Sequence, residues 1–247
     1  MCGTCGCGKN GVHEHQHDGE MTDHHHHAHT PNSRLLELEA HILAHNNEHA
    51  ASNQRYLDSR NVRAFNLMSS PGSGKTALLE KTLGELLPEI GASVIVGDQR
   101  TDLDAERLRR FGGAVCQIET GEMCHLDAAR VGAYLPKVID VATRVLFIEN
   151  VGNLICPAAF NLGEHLKVAL LSVTEGEDKP LKYPAMFSLV DLVIITKIDL
   201  LPHLEFDLGK CRKHLIQLAP RAQIIALSSK SGEGFDSWLG FVRKQLL

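Results

Sequence analysis

The sequence lacks any apolar run that approaches the roughly 18 residues needed to cross a membrane. Its N-terminal region is polar and acidic. It has neither the basic and apolar segments of a secretory signal peptide nor the apolar stretch of a lipoprotein leader, despite Cys2. Positive charge is not in excess either: 25 Lys and Arg stand against 30 Asp and Glu, a formal net charge of −5. We therefore expect a cytoplasmic protein with no nucleic acid and no membrane among its partners.

The 247 residues suffice for one large α/β domain, or for one domain with an appendage. The chain has seven cysteines, an odd number, and no export signal. They are expected to be thiols or metal ligands rather than a disulfide scaffold.

Residues 1–33 contain no Leu, Ile, Phe, Tyr or Trp and have almost nothing to bury, so we predict a disordered, acidic tail. This tail carries eight of the chain's 15 histidines, which predicts binding of Ni²⁺ or Zn²⁺: His13, His15, His17, His24, His25, His26, His27 and His29. An expression tag is the alternative. Against it, Glu, Gln and Asp are interleaved with these histidines.

Three more candidate ligands, Cys2, Cys5 and Cys7, form a Cys-x-x-Cys-x-Cys pattern at the N-terminus. Closely spaced thiolates separated by glycines can wrap one ion, and square-planar coordination by nitrogen and sulfur favours Ni²⁺ over Zn²⁺. A redox pair is the alternative, but no thioredoxin-like strand and helix surround the motif.

From residue 34 to about residue 60 the pattern predicts a helix, because Leu35, Leu38 and Ile42 recur at helical spacing. His41, His45 and His49 are four residues apart and would share one face of that helix, where two histidines can share a metal ion. The alternative is the polar end of an amphipathic helix that packs on the core.

Residues 61–247 alternate between apolar strands and helical stretches, which predicts an α/β fold with a mostly parallel sheet covered on both faces. The predicted strands are Ala64–Met68, Ser93–Val96, Val115–Ile118, Val145–Ile148, Val168–Val173, Leu192–Ile195 and Ile224–Leu227. The predicted helices are Lys75–Leu87, Leu103–Phe111, Leu126–Val141, Leu208–Leu218 and Phe235–Leu247.

A phosphate-binding loop follows the first predicted strand and precedes a helix, in Ser69-Ser70-Pro71-Gly72-Ser73-Gly74-Lys75-Thr76. Gly72, Ser73 and Gly74 would turn backbone N–H groups towards the phosphates, and the helix N-terminus adds its positive end. Lys75 would reach the β- and γ-phosphates, and the Thr76 hydroxyl would bind Mg²⁺. The usual first glycine of this pattern is Ser69 here.

The base would be selected after the strand Leu192–Ile195, where Lys197 and Asp199 follow Thr196. A carboxylate at Asp199 can accept from the N1–H and the 2-amino group of guanine, neither of which adenine has. Lys197 would lie along the ring. Ser229 and Lys230, after the last strand, resemble the loop behind the guanine oxygen. The usual Asn of this pattern is Thr196 here, with a shorter side chain.

Two acidic residues end predicted strands on the nucleotide side, Asp98 and Glu149. Both are candidates to hold Mg²⁺ together with Thr76, and a helix or turn cap is the alternative for Asp98. Gly152 would let its backbone N–H sense the γ-phosphate.

A second candidate metal site combines Cys124, His125 and Cys156, a donor set suited to Zn²⁺ or Ni²⁺. One copy supplies three ligands, so a two-fold dimer that pools two copies is attractive. Cys116 and Cys211 are expected in the core, and the alternative for Cys124 and Cys156 is that they are buried thiols as well.

These motifs resemble those of the HypB family, GTPases that help to insert nickel into the large subunit of [NiFe]-hydrogenase. The resemblance lies in Met1–Gly8, Ser69–Thr76, Gly121–Leu126, Glu149–Leu154 and Glu175–Pro180. It implies a P-loop GTPase of the SIMIBI type, a GTP-dependent homodimer, a small zinc-binding maturation partner and a hydrogenase large-subunit precursor as the target. The His-rich insert resembles that of the nickel-storing members.

The sequence thus favours slow GTP hydrolysis that gates nickel transfer, with GTP, Mg²⁺, Ni²⁺ and Zn²⁺ as ligands. Three alternatives remain at this point: a nickel store whose GTPase domain is secondary, a urease-type delivery GTPase and a metal-responsive ATPase. Asp199 argues against the last.

Overall fold

The structure, a computed structural model, describes residues 31–98, 103–121 and 123–247, apart from the side chains of residues 31–35 and 39. The predicted ligands of the tail, from Cys2 to His29, lie outside these residues, so their roles stay predictions. The chain divides into two compact units, residues 1–37 and 38–247. All sites described below lie in the second unit.

In the described part of the chain, seven strands form one sheet in which every neighbouring pair is parallel, in the order β3-β2-β4-β1-β5-β6-β7. The strands are β1 (Arg63–Ser69), β2 (Gly91–Asp98), β3 (Ala114–Glu119), β4 (Thr143–Glu149), β5 (Leu166–Ser172), β6 (Leu192–Thr196) and β7 (Gln223–Ala226). This confirms the predicted sheet. Because all strands run the same way, the loops after them share one edge, where α/β proteins bind ligands.

The helices that connect and cover these strands are α1 (Pro31–Ser59), α2 (Lys75–Leu86), α3 (Leu103–Arg109), α4 (Ala128–Val138), α5 (Cys156–Ala159), α6 (Lys179–Lys182), α7 (Pro184–Phe187), α8 (Leu208–Leu218) and α9 (Phe235–Lys244). Short 3₁₀ helices span Val173–Glu175 and Ile198–His203. Within the described part of the chain, no helix is both long enough and apolar enough to cross a lipid bilayer.

Side chains of β1 alternate between two apolar cores. Phe65 and Leu67 pack with α2 and α9, whereas Ala64 packs with α1 and α4 on the opposite face. The tryptophan Trp238 of α9 is fully buried in the first core, and its indole N–H donates to Thr82 Oγ1 of α2 over 2.8 Å. Burial on both faces explains why the strands are continuously apolar.

Capping by polar side chains explains two of the boundaries at which the structure differs from the prediction. The helix predicted over Leu126–Val141 begins after Asp127, whose side chain accepts from the backbone N–H of Arg130 over 2.8 Å. Val173, predicted as strand, follows Ser172, which forms a capping box with Glu175 and starts a 3₁₀ turn.

Helix α1 packs on the domain mainly through amides, with Ala50 and Leu57 as its buried apolar contacts. Leu38 and Ile42 are about half exposed, so the leucine stripe is not the main packing surface of this helix. Instead Asn53, only 6% exposed, donates from Nδ2 to the carbonyls of Ala128 and Leu162 over 2.7 and 2.9 Å. The helix thereby joins α4 to the loop before β5.

Replacing Asn53 with Ala is expected to lower the free energy of unfolding by about 2 to 4 kcal/mol, because two buried carbonyls lose their donor. Urea denaturation followed by circular dichroism measures the change. Asn47→Ala, at an exposed position of α1, is the matched control and should change stability little. Equal effects of the two substitutions would contradict this account of α1.

Candidate functional site

The phosphate-binding loop has the backbone conformation that its glycines allow. Gly72 and Gly74 have φ angles of +73° and +99°, a region that side chains disfavour, and α2 begins at Lys75 directly afterwards. A cavity of about 570 Å³ opens over this loop and reaches Asp98 and Glu149. The loop therefore presents a helix N-terminus to a pocket large enough for phosphates.

Ser69, at the position of the usual first glycine, contacts the lysine of the same loop. The Lys75 ammonium donates to Ser69 Oγ over 2.9 Å, and the Ser69 hydroxyl donates to the carbonyl of Ser70 over 2.7 Å. Burial lowers the pKa of Lys75, although the carboxylates of Glu149 and Asp104 act against this. A phosphate would restore the favourable surroundings of the charged ammonium.

Thr76 and Glu149 form a pair that fits a divalent cation. The Thr76 hydroxyl donates to Glu149 Oε1 over 2.8 Å, while the buried Oε2 has no hydrogen-bond partner among the described residues. Asp98, at the end of β2, lines the same cavity. Hydroxyl and carboxylate oxygens are the donors that Mg²⁺ takes in phosphate sites, so these residues suit the ion.

Glu149 is also the most perturbed acid of this cavity. Burial raises the pKa of Glu149 to about 7, although the nearby Lys75 ammonium and the Thr76 hydrogen bond favour the charged form. Without a cation, this carboxyl group is therefore about half protonated near neutral pH.

A second cavity of about 290 Å³, lined by Gly74 and Lys197 as the first is, reaches Asp199, Ser229 and Lys230. Asp199 Oδ1 accepts from the Ser228 hydroxyl over 2.6 Å, which fixes the carboxylate. This cavity brings together the residues predicted to select the base.

The remaining base-loop residues tie this loop to the phosphate-binding loop. Thr196 is buried, and its hydroxyl donates to the carbonyl of Ser73 over 2.7 Å. Lys197, in the left-handed region at φ +61°, donates from Nζ to the carbonyl of Gly72 over 2.7 Å. The Thr in place of the usual Asn thus supports the phosphate-binding loop.

The loop after β4 contacts the phosphate-binding loop at Gly152. A Cβ atom at Gly152 would lie 3.0 Å from the backbone of Pro71, so only glycine fits without displacement. Gly152 therefore sits beside the phosphate pocket, as the prediction of a phosphate-sensing N–H requires.

Cys124, His125 and Cys156 come together as a cluster, with their donor atoms within 4.8 Å of one another. The sulfur atoms of Cys124 and Cys156 are 2.8 Å apart, and Cys124 Sγ lies 3.8 Å from His125 Nδ1. Burial lowers the pKa of His125 and favours the neutral imidazole that metals require. Across residues 31–98, 103–121 and 123–247 no other group of three such donors converges this closely.

The other two cysteines lie apart from this cluster. Cys211 is fully buried, and burial raises the pKa of its thiol to about 11. Cys116 is partly buried against the core beside α1 and α4. Their predicted place in the core is confirmed for Cys211 and holds in part for Cys116.

Two residues of the site were given no role by the sequence analysis. Asn150 Oδ1 accepts from the backbone N–H of Leu126 over 3.2 Å, and its Nδ2 donates to Asn66 Oδ1 over 3.2 Å. The ring of Phe160 stacks on His125 with 3.9 Å between centroids. An amide directly after Glu149 was the only available signal for Asn150, and Phe160 had none.

Comparisons with known proteins agree with this geometry. The profile of the family "CobW/HypB/UreG, nucleotide-binding domain" matches residues 63–226. The chain is 50% identical over 221 residues to the hydrogenase maturation factor HypB of Azotobacter vinelandii, covering 88% of this chain and 73% of that protein.

Two crystal structures resemble the chain in both sequence and fold. HypB from Archaeoglobus fulgidus has a TM-score of 0.79 at 40% identity, covering 83% of this chain and all of that chain. HypB from Helicobacter pylori, a complex with nickel, has a TM-score of 0.78 at 38% identity, covering 81% and 94%.

The pKa of Glu149 predicts how stability depends on pH. An acid whose pKa is raised on folding favours the folded state at low pH, and this contribution is lost as the pH rises from about 4.5 to about 7. In the absence of nucleotide and metal ions, the free energy of unfolding of Glu149→Gln, relative to that of the parent, should therefore rise by on the order of 2 kcal/mol between pH 5 and pH 8. Thermal unfolding at each pH measures the difference.

Glu119→Gln, at the exposed carboxylate that ends β3, is the matched control and should follow the parent at every pH. Parallel profiles for Glu149→Gln and the parent would show that Glu149 titrates at an ordinary pH.

Proposed function

The chain belongs to the CobW/HypB/UreG family of nucleotide-binding domains and within it to the HypB hydrogenase maturation factors, and from this premise we propose that it hydrolyses GTP to control delivery of nickel. Its fold is that of a P-loop GTPase. Nickel is the cargo, bound at Cys124, His125 and Cys156 and passed to a hydrogenase large-subunit precursor.

The loop after β4 carries this proposal, because it contacts both sites. It starts at Glu149, which accepts from Thr76 of the phosphate-binding loop. It passes Pro71 at Gly152 and reaches Cys156, which lies against Cys124. Gain or loss of a γ-phosphate at the first end would therefore act on a ligand at the other.

Hydrolysis follows from the charges around the phosphate-binding loop. Lys75 leaves Ser69 to neutralise negative charge on the transferred phosphoryl group, and backbone N–H groups at the start of α2 hold the phosphates in place. Mg²⁺, held by Thr76, Asp98 and Glu149, supplies further charge neutralisation when it is bound. Asp199 selects guanine, fixed by Ser228.

The proposed partners follow from the incomplete donor set. Three ligands leave one position open on a four-coordinate ion, which a second copy of the chain or a partner protein can fill. Ile155, beside Cys156, is 69% exposed and offers an apolar contact for such a copy. We propose a GTP-dependent homodimer and a small zinc-binding maturation partner in the cytoplasm, with Zn²⁺ as the competing ion at the cluster.

Storage of nickel is a further part of the proposal. The histidines of residues 13–29 and the three N-terminal cysteines supply many more donors than one ion needs. Their affinity falls as the imidazoles protonate at low pH.

Asp199→Asn tests the choice of base. Loss of the carboxylate that accepts from two guanine N–H groups should weaken GDP binding by about 10- to 100-fold, because hydrogen bonds to charged groups are the strong ones. The affinity for xanthosine diphosphate, which carries a carbonyl in place of the 2-amino group, should fall less than the affinity for GDP. Calorimetric titration measures both affinities, with Asp236→Asn, at an exposed aspartate, as the control. Equal binding of ADP and GDP by the parent would contradict guanine selection.

Nickel titration of the full-length protein with GDP and with a non-hydrolysable GTP analogue tests the coupling. One site should differ in affinity by about 5-fold or more between the two nucleotides, the usual range of coupling energies. Cys156→Ser should abolish that difference and leave the additional ions of the tail bound. Equal affinities would contradict gating, and a single ion per chain would contradict storage.

A further inference from the structure

A third cavity, of about 680 Å³, separates helix α1 from the loops that hold the cysteine cluster. His41, His45 and His49 line it from α1, and His125, Asp127 and Phe160 line it from the loops. His125 thus borders this cavity while it is also one of the three clustered donors. The cavity therefore lies between three imidazoles on α1 and the single imidazole of His125.

The histidines on α1 have the spacing of a helical metal pair. The rings of His45 and His49 have centroids 4.8 Å apart at an angle of 41°. Two imidazoles four residues apart on one helix face can bind one ion, as in helical zinc sites. His41 and His45 are exposed and His49 is half buried, so they do not serve as packing residues of the core.

The position of this histidine face is fixed by Asn46, which follows His45. Asn46 is buried and accepts at Oδ1 from the backbone N–H of Ala128 over 2.9 Å. Its Nδ2 donates to the carbonyl of Asn161 over 2.7 Å. These partners lie directly beside Asp127 and Phe160, which line the opposite wall, so α1 is held to both sides of the cavity.

The cavity suits a cation better than an anion. Among the described residues that line it, none is Lys or Arg. Leu38, Ile42, Met123 and Ala129 add apolar groups to its wall. Imidazole nitrogens are donors for Ni²⁺ and Zn²⁺ rather than for Mg²⁺.

We propose that His45 and His49, assisted by His41, form a separate binding site for Ni²⁺ or Zn²⁺ that loads the cysteine cluster across this cavity. The loading step rests on the proposed function of the cluster. The ion exchanges its bonds to imidazole nitrogen for bonds to Cys124 and Cys156 sulfur, and each thiol that becomes a ligand releases its proton to solvent. Transfer runs towards the cluster, because thiolates bind these ions more strongly than two imidazoles do.

The helix site is tested first by hydrogen exchange in the full-length Cys124→Ser/Cys156→Ser protein, which lacks the cluster thiols. Ni²⁺ should slow amide exchange in α1 around residues 45–53, because an ion that bridges two turns stabilises the helix. His45→Gln/His49→Gln should abolish this protection.

A matched control keeps the number of histidines and changes only their spacing. Asn47→His/His45→Gln leaves imidazoles at positions 41, 47 and 49, no two of which are three or four residues apart, so this variant should lose the protection as well. Protection that persists in either double variant would overturn the helix site.

The loading step is tested in full-length protein with intact cluster cysteines and with Cys2, Cys5 and Cys7 replaced by Ser. The near-ultraviolet absorption of nickel bound to thiolate then reports filling of the cluster from a stopped-flow addition of Ni²⁺. The spacing control should slow filling by about 10-fold or more, because a nearby bound ion acts at a high effective concentration. The final absorption should stay unchanged.

An unchanged filling rate would overturn the loading role of α1. If neither the parent nor any variant develops this absorption, the proposed nickel site at the cluster is wrong. The hydrogen-exchange experiment still decides whether the helix binds the ion.

Discussion

The side-chain amide of Asn150 holds together the two loops on which both candidate sites depend. Its oxygen accepts from the backbone of Leu126, beside His125, and its nitrogen donates to Asn66 of the central strand β1. Asn66 in turn donates to the buried carboxylate of Glu164. Buried polar groups are costly when a partner is lost, so this chain of hydrogen bonds has few alternative arrangements. It gives the proposed coupling a continuous physical route.

The phosphate side of the site was predictable because its information is local. A strand, a glycine-containing loop and a helix follow one another within Ala64–Leu87, and the chemistry of each residue follows from its place in that unit. The cluster of Cys124, His125 and Cys156 was predictable for another reason. The loops after β3 and β4 had to reach the same edge of a parallel sheet, whatever the details of packing.

What could not be predicted depends on contacts between distant parts of the chain. Asn46 and Asn53 of α1 bind groups that lie more than 70 residues away. They continue the helix face of Ile42, but an amide at such a position carries no signal for the distant group that it binds. The departures from the usual pattern at Ser69 and Thr196 were visible in the sequence. Only the fold shows that both hydroxyls donate to backbone carbonyls of the phosphate-binding loop.

The indole of Trp238 gives the molecule an internal optical probe. It is the chain's only tryptophan, it is fully buried, and it is hydrogen-bonded to Thr82 on the helix that starts at Lys75. Its emission belongs to one environment, so the spectrum needs no separation into contributions from several indoles. A red shift would report that water has entered the core beneath α2. Fluorescence can therefore separate unfolding of the core from metal-driven changes at the opposite face of the sheet.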